Sequence, residues 1–383
     1  MRVLVLNAGS SSLKAALLDV AADRRLADAV AREVAEPAAA LASVLRQIEV
    51  AVPGGLSRLD AIGHRIVHGA QLLRPVRVDD AVEAAIAASV PLAPLHNPPG
   101  LAALRAMRAR FPMVPQVAVF DTAFHATLPP AASRYALPDE WVARLGLRRL
   151  GFHGINHAQV MRRCAATLGM APCTSRLVSC HLGAGASVAA IAHGRCVDTS
   201  MGMTPLEGLV MGTRAGDLDP GIVLQLARAI PDPDELDVLL QRHSGLLALA
   251  GTTDMAEIER RARAGEARAL AALEVYVHRL RRYLGAMCAS MEGVDAIAFS
   301  GGIGEHATLL RELTCRGLGW IGAQFDPDAN RSANVSHQAP VARISTPVSV
   351  VQLLVVAADE EREIALEVAT LLSGGSRDEA DRV

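Results

Sequence analysis

Arg2 to Val20, RVLVLNAGSSSLKAALLDV, decides the fold. Val3 to Leu6 is a β-branched and leucine run, Asn7 to Ser12 carries turn residues, and Leu13 to Asp19 resumes an apolar pattern of strand length. The stretch therefore reads as a β-hairpin with a turn of small residues. Such a turn lets the backbone approach a ligand closely, N–H groups and serine hydroxyls can converge on an anion, and Lys14 adds a positive charge beside them. This suits phosphate, although an ordinary serine-rich turn is the alternative reading. It is not a Walker A loop, which needs its lysine between a strand and a helix, whereas Lys14 lies inside the second strand. Of the 38 Lys plus Arg residues Lys14 is the only lysine, and a compact ammonium is not interchangeable with a planar guanidinium against a crowded phosphate.

Working outward, the 383 residues are too many for one ordinary core and suit two domains. Half the chain is hydrophobic and the net charge is -2, with no basic block or aromatic-interleaved stripe, so neither nucleic acid nor a membrane is expected as a partner. Cytoplasm is the default location. The six cysteines have no CxxC spacing and read as buried thiols. A helix is expected at Pro37 to Val50, a buried strand at Leu59 to Val67, helices at Asp79 to Ser89 and Gly100 to Arg110, and a strand at Val114 to Phe120. Arg65 inside an apolar strand is costly unless it is paired or faces a cleft. Asp121 ends the next strand, where open α/β sheets place ligand chemistry, unless it is a plain helix cap. His153 sits in Gly-Phe-His-Gly, and the glycines argue for close backbone approach.

Near mid-chain the opening pattern returns. Arg176 to Asp198 is again strand, small-residue turn and strand, and Ala184 to Ser187 can be laid over Ala8 to Ser11, which suggests a duplication. Two such hairpins would face one another and hold a nucleotide's phosphates. Thr199 to Pro220 has no helical or strand period, yet carries Arg214, Asp217 and Asp219, and is expected to be a mobile functional loop. Helices are expected from Ile222 to Met291, a strand at Val294 to Phe299 turning into a helix at Ser300 to His306, a last strand at Val348 to Val356, a helix opened by Asp359-Glu360-Glu361, and a disordered tail at Gly374 to Val383.

Taken together, NAGSSSLK (7–14), GHRIVH (63–68), PLHNPP (94–99), FDTAFH (120–125), GFHG (151–154), HLGAGAS (181–187), MGTRAGDLDP (211–220) and GGIGE (301–305) resemble the acetate kinase family, in order and over nearly the whole chain. The resemblance implies the α/β actin, sugar-kinase and Hsp70 superfamily fold, with two duplicated domains hinged over a nucleotide cleft. It places residues 1–125 plus 361–383 in an acyl-side domain and 126–360 in a nucleotide-binding and dimerisation domain. It further implies a homodimer that transfers the γ-phosphoryl of ATP, with Mg²⁺ or Mn²⁺, reversibly to acetate.

By the same resemblance Arg65 would hold the acetate carboxylate, Arg214 the transferring phosphoryl, His153 its equatorial oxygens, and Asp121 would orient the arginines and Mg²⁺. Asn7 and Glu360 match the metal ligands, and Val67, Leu95, Phe152 and Pro205 the pocket for the acetate methyl. Ser10, Ser12, Lys14, His181, Leu182, Gly183, Ala184 and Gly185 match the phosphate side. Asp254, Met255, Ala256, Gly302, Ile303, Gly304, Glu305 and His306 match the adenosine side. The departures fall on the nucleotide side: Ala256 replaces an arginine, His306 and Ala184 replace asparagines, and Asp359 replaces the asparagine before the metal glutamate. Another phosphoryl donor such as pyrophosphate, propionate as acceptor, or a non-catalytic nucleotide-binding relative are the alternatives.

Overall fold

The computed structural model describes residues 1–9, 12–32, 37–93 and 96–374. Twelve strands among the described residues form two sheets. The first holds β1 (Arg2–Ala8), β2 (Ser12–Asp19), β3 (Arg24–Arg32), β4 (Ala61–Ile66), β5 (Val76–Arg77) and β6 (Gln116–Phe120), in the order β3-β2-β1-β4-β6-β5. The second holds β7 (Arg176–Leu182), β8 (Ala186–Ala192), β9 (Arg195–Thr199), β10 (Ala296–Ser300), β11 (Val341–Arg343) and β12 (Gln352–Val356), in the order β11-β12-β10-β7-β8-β9.

Read from opposite ends, the two orders are the same. In each sheet the first three strands are antiparallel, two parallel strands follow, and a short antiparallel strand closes the far edge. Each third strand even shifts register at a corresponding place, between Leu17 and Leu18 on β2 and between Ala190 and Ile191 on β8. These are two duplicated actin-like α/β domains. The sequence overlay needs correcting by two residues: β1 and β7 end at Ala8 and Leu182, and β2 and β8 begin at Ser12 and Ala186, so Gly9 corresponds to Gly183.

The chain divides into two compact units, Met1–Ala126 with His153–Gln159 and the described chain from Asp359 onward, and Thr127–Phe152 with Val160–Ala358. In the first unit Leu4, Leu6 and Leu17 pack on one face of the sheet against Val44, Leu45 and Ile48 of the helix Pro37–Ala51. On the other face Val3, Val5, Ala16 and Leu18 meet Ile364, Ala365 and Val368 of the helix Glu360–Leu372. That helix fits because β4 offers Gly63, where a Cβ would lie 2.7 Å from the Ile364 methyl. The alternation of β1 thus fills two layers at once. In the second unit the strands β7, β8 and β10 are buried almost throughout, and the 24-residue helix Ala267–Ser290 packs against β8.

β3, β5, β9 and β11 were not expected from the sequence, whereas the other strands and the helices at Pro37, Asp80, Asn97, Gly301 and Glu360 were. The expected loop Thr199 to Pro220 holds no helix or strand between its two end residues, which close β9 and open the next helix, but it is anchored rather than loose: Met201, Leu209, Val210 and Met211 are buried. None of the six cysteines is in a disulfide, and Cys164, Cys180, Cys196, Cys288 and Cys315 are buried. Most of the expected tail, from residue 375 on, lies outside the described residues.

Candidate active site

In the first unit a polar cluster forms at the ends of neighbouring strands. Arg65 is the penultimate residue of β4, and Asp121 follows directly on β6. The Arg65 guanidinium donates to Asp121 through Nη2 at 2.6 Å and Nε at 3.2 Å, and Nη1 donates to Asn7 Oδ1 at 2.9 Å while lying 3.6 Å from Glu360 Oε2. Asn7 Nδ2 in turn donates to Glu360 Oε2 and to Glu361 Oε1, both at 2.9 Å. The charge inside an apolar strand is therefore paired, and Asp121 serves it. Burial alone would lower the Arg65 pKa, but the carboxylates of Asp121 and Glu360 outweigh it and raise the pKa, so the guanidinium stays charged. Burial pushes the Asp121 carboxyl above its ordinary value, against the pull of Arg65.

The same cluster is tied to His153. Gly154 N donates to the Asp121 carbonyl at 2.9 Å, and any Cβ on Gly154 would collide with that oxygen. His153 itself has φ +57°, a left-handed conformation uncommon for a residue with a side chain and found where the surroundings impose it. The close approach expected from Gly-Phe-His-Gly is thus present at Gly154. Buried Asn97 grips both backbone groups of His68, accepting from its N–H at 3.0 Å and donating to its carbonyl at 2.9 Å, which fixes the chain beside buried Val67. Lys14 is exposed and directly opposite Asn7 in the β1/β2 ladder, so the two side chains share a face. Ser12 is half-buried, and Ser10 and Leu95 lie outside the described residues. One strand position before Arg65, the fully buried His64 ring bonds Gln116 Oε1 through Nε2 at 2.8 Å, and burial lowers its pKa to about 4.

In the second unit the other predicted segments meet. Gly212 N donates to the Ala184 carbonyl at 3.0 Å, which joins the loop carrying Arg214 to the turn Gly183 to Gly185, itself closed by Gly183 N to Gly185 O at 3.0 Å. A Cβ on Gly212 would sit 3.5 Å from Thr253, next to Asp254, and one on Gly301 would lie 2.7 Å from the Leu182 carbonyl. His181 to Gly185, Gly212 to Arg214, Thr253 to Asp254 and Gly301 to Gly304 are therefore neighbours. Gly302, Ala256 and His306 are exposed, and nothing lies within 4 Å of a Cβ built on Gly302, which leaves its backbone open to a ligand. Asp254 caps the helix Met255–Arg263 by accepting from Ala256 N at 2.9 Å. Buried Arg311 braces the Gly301–His306 helix, donating to the Gly304 and Glu305 carbonyls at 2.8 and 2.7 Å. Phe152 is buried and Pro205 half-buried.

Arg214 differs from Arg65. Its Nη1 meets the Pro205 carbonyl at 3.3 Å and the Met211 sulfur at 3.6 Å, with no carboxylate partner among the described residues, and burial lowers its pKa. Its loop is held on both sides. Arg149 donates to Glu207 at 2.5 Å and to the Met201 carbonyl at 3.0 Å, Tyr135 donates to Glu207 at 2.6 Å, and Tyr283 donates to Asp217 Oδ2 at 2.9 Å. The sequence missed this bracing and missed Glu361. Glu361 had a signal in the doubled glutamate at 360 and 361, whereas Arg149 had none beyond the neighbouring Arg148.

No group of three His, Cys, Asp or Glu among the described residues could hold a metal alone. Asn7 Oδ1 and Glu360 are nonetheless hard oxygen donors, with Glu361 beside them, and suit Mg²⁺, which keeps several waters and takes phosphate oxygens as its remaining ligands.

The sequence model of the Acetokinase family matches residues 29–366. Acetate kinase of Streptomyces avermitilis is 45% identical, over 97% of this chain and 97% of that protein. The crystal structure of Porphyromonas gingivalis acetate kinase superposes with a TM-score of 0.88 at 36% identity, covering 97% of this chain and 99% of its own. A propionate kinase from Francisella tularensis does so with a TM-score of 0.87 at 34% identity, covering 96% and 98%. Matched over most of its length by the family model and over nearly all of it by these relatives, the chain belongs to the acetokinase family.

Proposed function

We propose that this chain is an acetate kinase, transferring the γ-phosphoryl of ATP to acetate to give acetyl phosphate and ADP, and running in reverse. The observation that carries the reading is Arg214, a largely buried guanidinium without a carboxylate partner among the described residues, beside a set of glycine turns. A cation left uncompensated in this way has its strongest interaction with an anionic ligand. Bringing a carboxylate onto a phosphoryl group opposes two negative charges, so the residues must supply charge and placement more than covalent chemistry.

In this reading Arg65 holds the acetate carboxylate, and Asp121 and Asn7 fix its fork. Acetate has no proton to lose at neutral pH, so Asp121 orients rather than abstracts. Arg214 neutralises the transferring phosphoryl and His153 steadies its equatorial oxygens. Asn7 and Glu360 hold Mg²⁺, which when bound screens the phosphate charge. Lys14, His181, Gly183 and Gly185 contact the phosphates, with Ser10 and Ser12 at the same turn. Asp254, Met255 and Ala256 with Gly302 to His306 receive the adenosine. Val67, Leu95, Phe152 and Pro205 enclose the methyl group.

A homodimer fits the helices Pro220–Ala229 and Pro233–Arg242, which bury no residue and expose Ile222, Leu224 and Val238. Six cysteines without a disulfide suit the reducing cytoplasm. The test is a hydroxamate assay of acyl phosphate formation with acetate, propionate and butyrate, each with ATP, GTP and pyrophosphate. Acetate with ATP and Mg²⁺ should turn over, propionate more slowly. Failure to form acyl phosphate with any donor would leave only a non-catalytic role.

A further inference from the structure

Arg25 lies on β3, outside every motif discussed above, yet it is one of the most heavily engaged cations of the first unit. Its side chain is 16% exposed, and Nη2 forms a close ion pair with Asp359 Oδ1 and lies 3.9 Å from Glu361 Oε2, while Nη1 pairs with Asp28. Asp359 is the residue that opens the helix Glu360–Leu372; its carboxylate also accepts from Arg362 N at 3.3 Å. A second tie runs from the same hairpin, where Arg362 Nε donates to Asp23 Oδ1 at 2.7 Å and Asp23 adopts φ +46°. The first turn of this helix is thus clamped at two points, by Asp23 of the β2–β3 connection and by Arg25 at the start of β3.

That turn is crowded with like charge. Asp359, Glu360, Glu361 and Glu363 stand within five residues. A helix N-terminus favours carboxylates, but four of them repel, and any that swings away leaves the set facing Asn7 incomplete. Arg65 compensates Glu360 from one side, at 3.6 Å. Arg25 compensates Asp359 and Glu361 from the other.

We infer that Arg25 is a positioning residue for the metal-side carboxylates, holding Asp359 and Glu361 so that Glu360 and Glu361 converge on Asn7. The inference rests on the proposed metal role of Asn7 and Glu360. Arg25 touches neither substrate nor metal, and it acts through the helix turn. Partners that orient a metal's ligands typically change its affinity by about ten- to a hundredfold.

The experiment is Mn²⁺ binding in the presence of ADP, followed by electron paramagnetic resonance, together with thermal melting, on wild type, Arg25→Lys, Arg25→Met and Arg25→Met/Asp359→Asn. Arg25→Met removes the ion pair of the buried Asp359 carboxylate and should both melt earlier and bind Mn²⁺ about tenfold more weakly. The double variant removes that buried charge as well, so its melting temperature should recover while its Mn²⁺ affinity stays low. Arg25→Lys retains the charge but not the fork that reaches Asp28 and Asp359 from separate nitrogens, so its affinity should fall between those of wild type and Arg25→Met. Recovery of full Mn²⁺ affinity in the double variant would overturn the inference and leave Arg25 a purely structural residue. A wild-type protein with no Mn²⁺ site would show itself before any variant is compared, and would overturn the metal assignment and the inference together.

Discussion

Arg65 and Arg214 are both guanidinium groups at the ends of secondary structure or in a braced loop, and they are kept in opposite electrostatic states. Arg65 is surrounded by Asp121, Glu360 and Asn7, whereas Arg214 meets a carbonyl oxygen and a thioether. The first is a fixed fork, oriented in advance and largely neutralised by its neighbours. The second carries its charge into a poorly solvated place without compensation. A charge whose partners are already present gives geometry; a charge without them gives attraction for an anion. In the proposed reading the contrast corresponds to placement of a small carboxylate by one and neutralisation of phosphate by the other.

Substituting each arginine tests that contrast most directly. Arg214→Ala should lower kcat by about a thousandfold or more, the scale of a transition-state arginine in phosphoryl transfer, with acetate KM little changed in steady-state kinetics. Its melting temperature should hold or rise, since an uncompensated buried cation is removed. Arg65→Ala should instead cost stability, about 3 to 5 kcal/mol in denaturant titration, because Asp121 is left buried without its partner. If both variants destabilise equally, the two sites do not differ as described.

Acid stability separates the regions further. His64 is neutral in the folded chain with a pKa lowered by burial to about 4, against about 6.5 in an unfolded chain. Below pH 6.5 the unfolded state binds the proton first, so stability is fully present above that pH and falls as pH drops toward 4. The full loss is about 3 kcal/mol for this residue. His64→Asn, which keeps a hydrogen-bond partner for Gln116, should flatten that part of the pH profile measured by urea unfolding.

Smaller effects are expected at the ligand-specific edges. On the donor side Ala256→Arg should tighten ATP binding by about 1.5 to 3 kcal/mol in calorimetry if a charge-assisted contact forms, and wild type should discriminate ATP from GTP poorly. Tight, adenine-selective binding by wild type would count against this. On the acceptor side Val67→Ala should shift the ratio of propionate to acetate turnover upward by about 1 kcal/mol, roughly one methylene's worth. An unchanged ratio would remove Val67 from the methyl pocket.

Much of this was legible in the chain itself, and what was not has physical causes. β1, β6, β10 and β12 declare themselves because these central strands are nearly continuous apolar runs, and β4 and β7 because apolar residues flank their few polar ones. β3, with RRLADAVAR, is rich in alanine and arginine and lies at a sheet edge, so its strand form comes from pairing with β2 rather than from its own preference. The short β9, RCVDT, is the same case in the second sheet. Asp121 was visible as a carboxylate at a strand end, Arg65 as a charge inside an apolar strand and Asn7 through the family resemblance, but the pairing of Glu361 with Asn7 was not, since it joins positions 354 residues apart. Arg25 gave no sequence signal because an arginine near a turn is ordinary. The left-handed backbone at His153 likewise left no trace except the adjacent Gly154.

The seating of the helix Glu360–Leu372 over Gly63 also governs how the molecule is made. During synthesis the ribosome delivers β1, β2 and β4 well before the helix that covers them. Until then Val3, Val5, Ala16 and Leu18 present an apolar sheet face with no cover, a surface that invites chaperones or aggregation. The carboxylates that face Asn7 arrive on the same late segment, so a nascent chain halted before it has neither a sealed first unit nor its metal-side ligands. Delivery of this helix, closure of this core and assembly of the polar cluster are a single event.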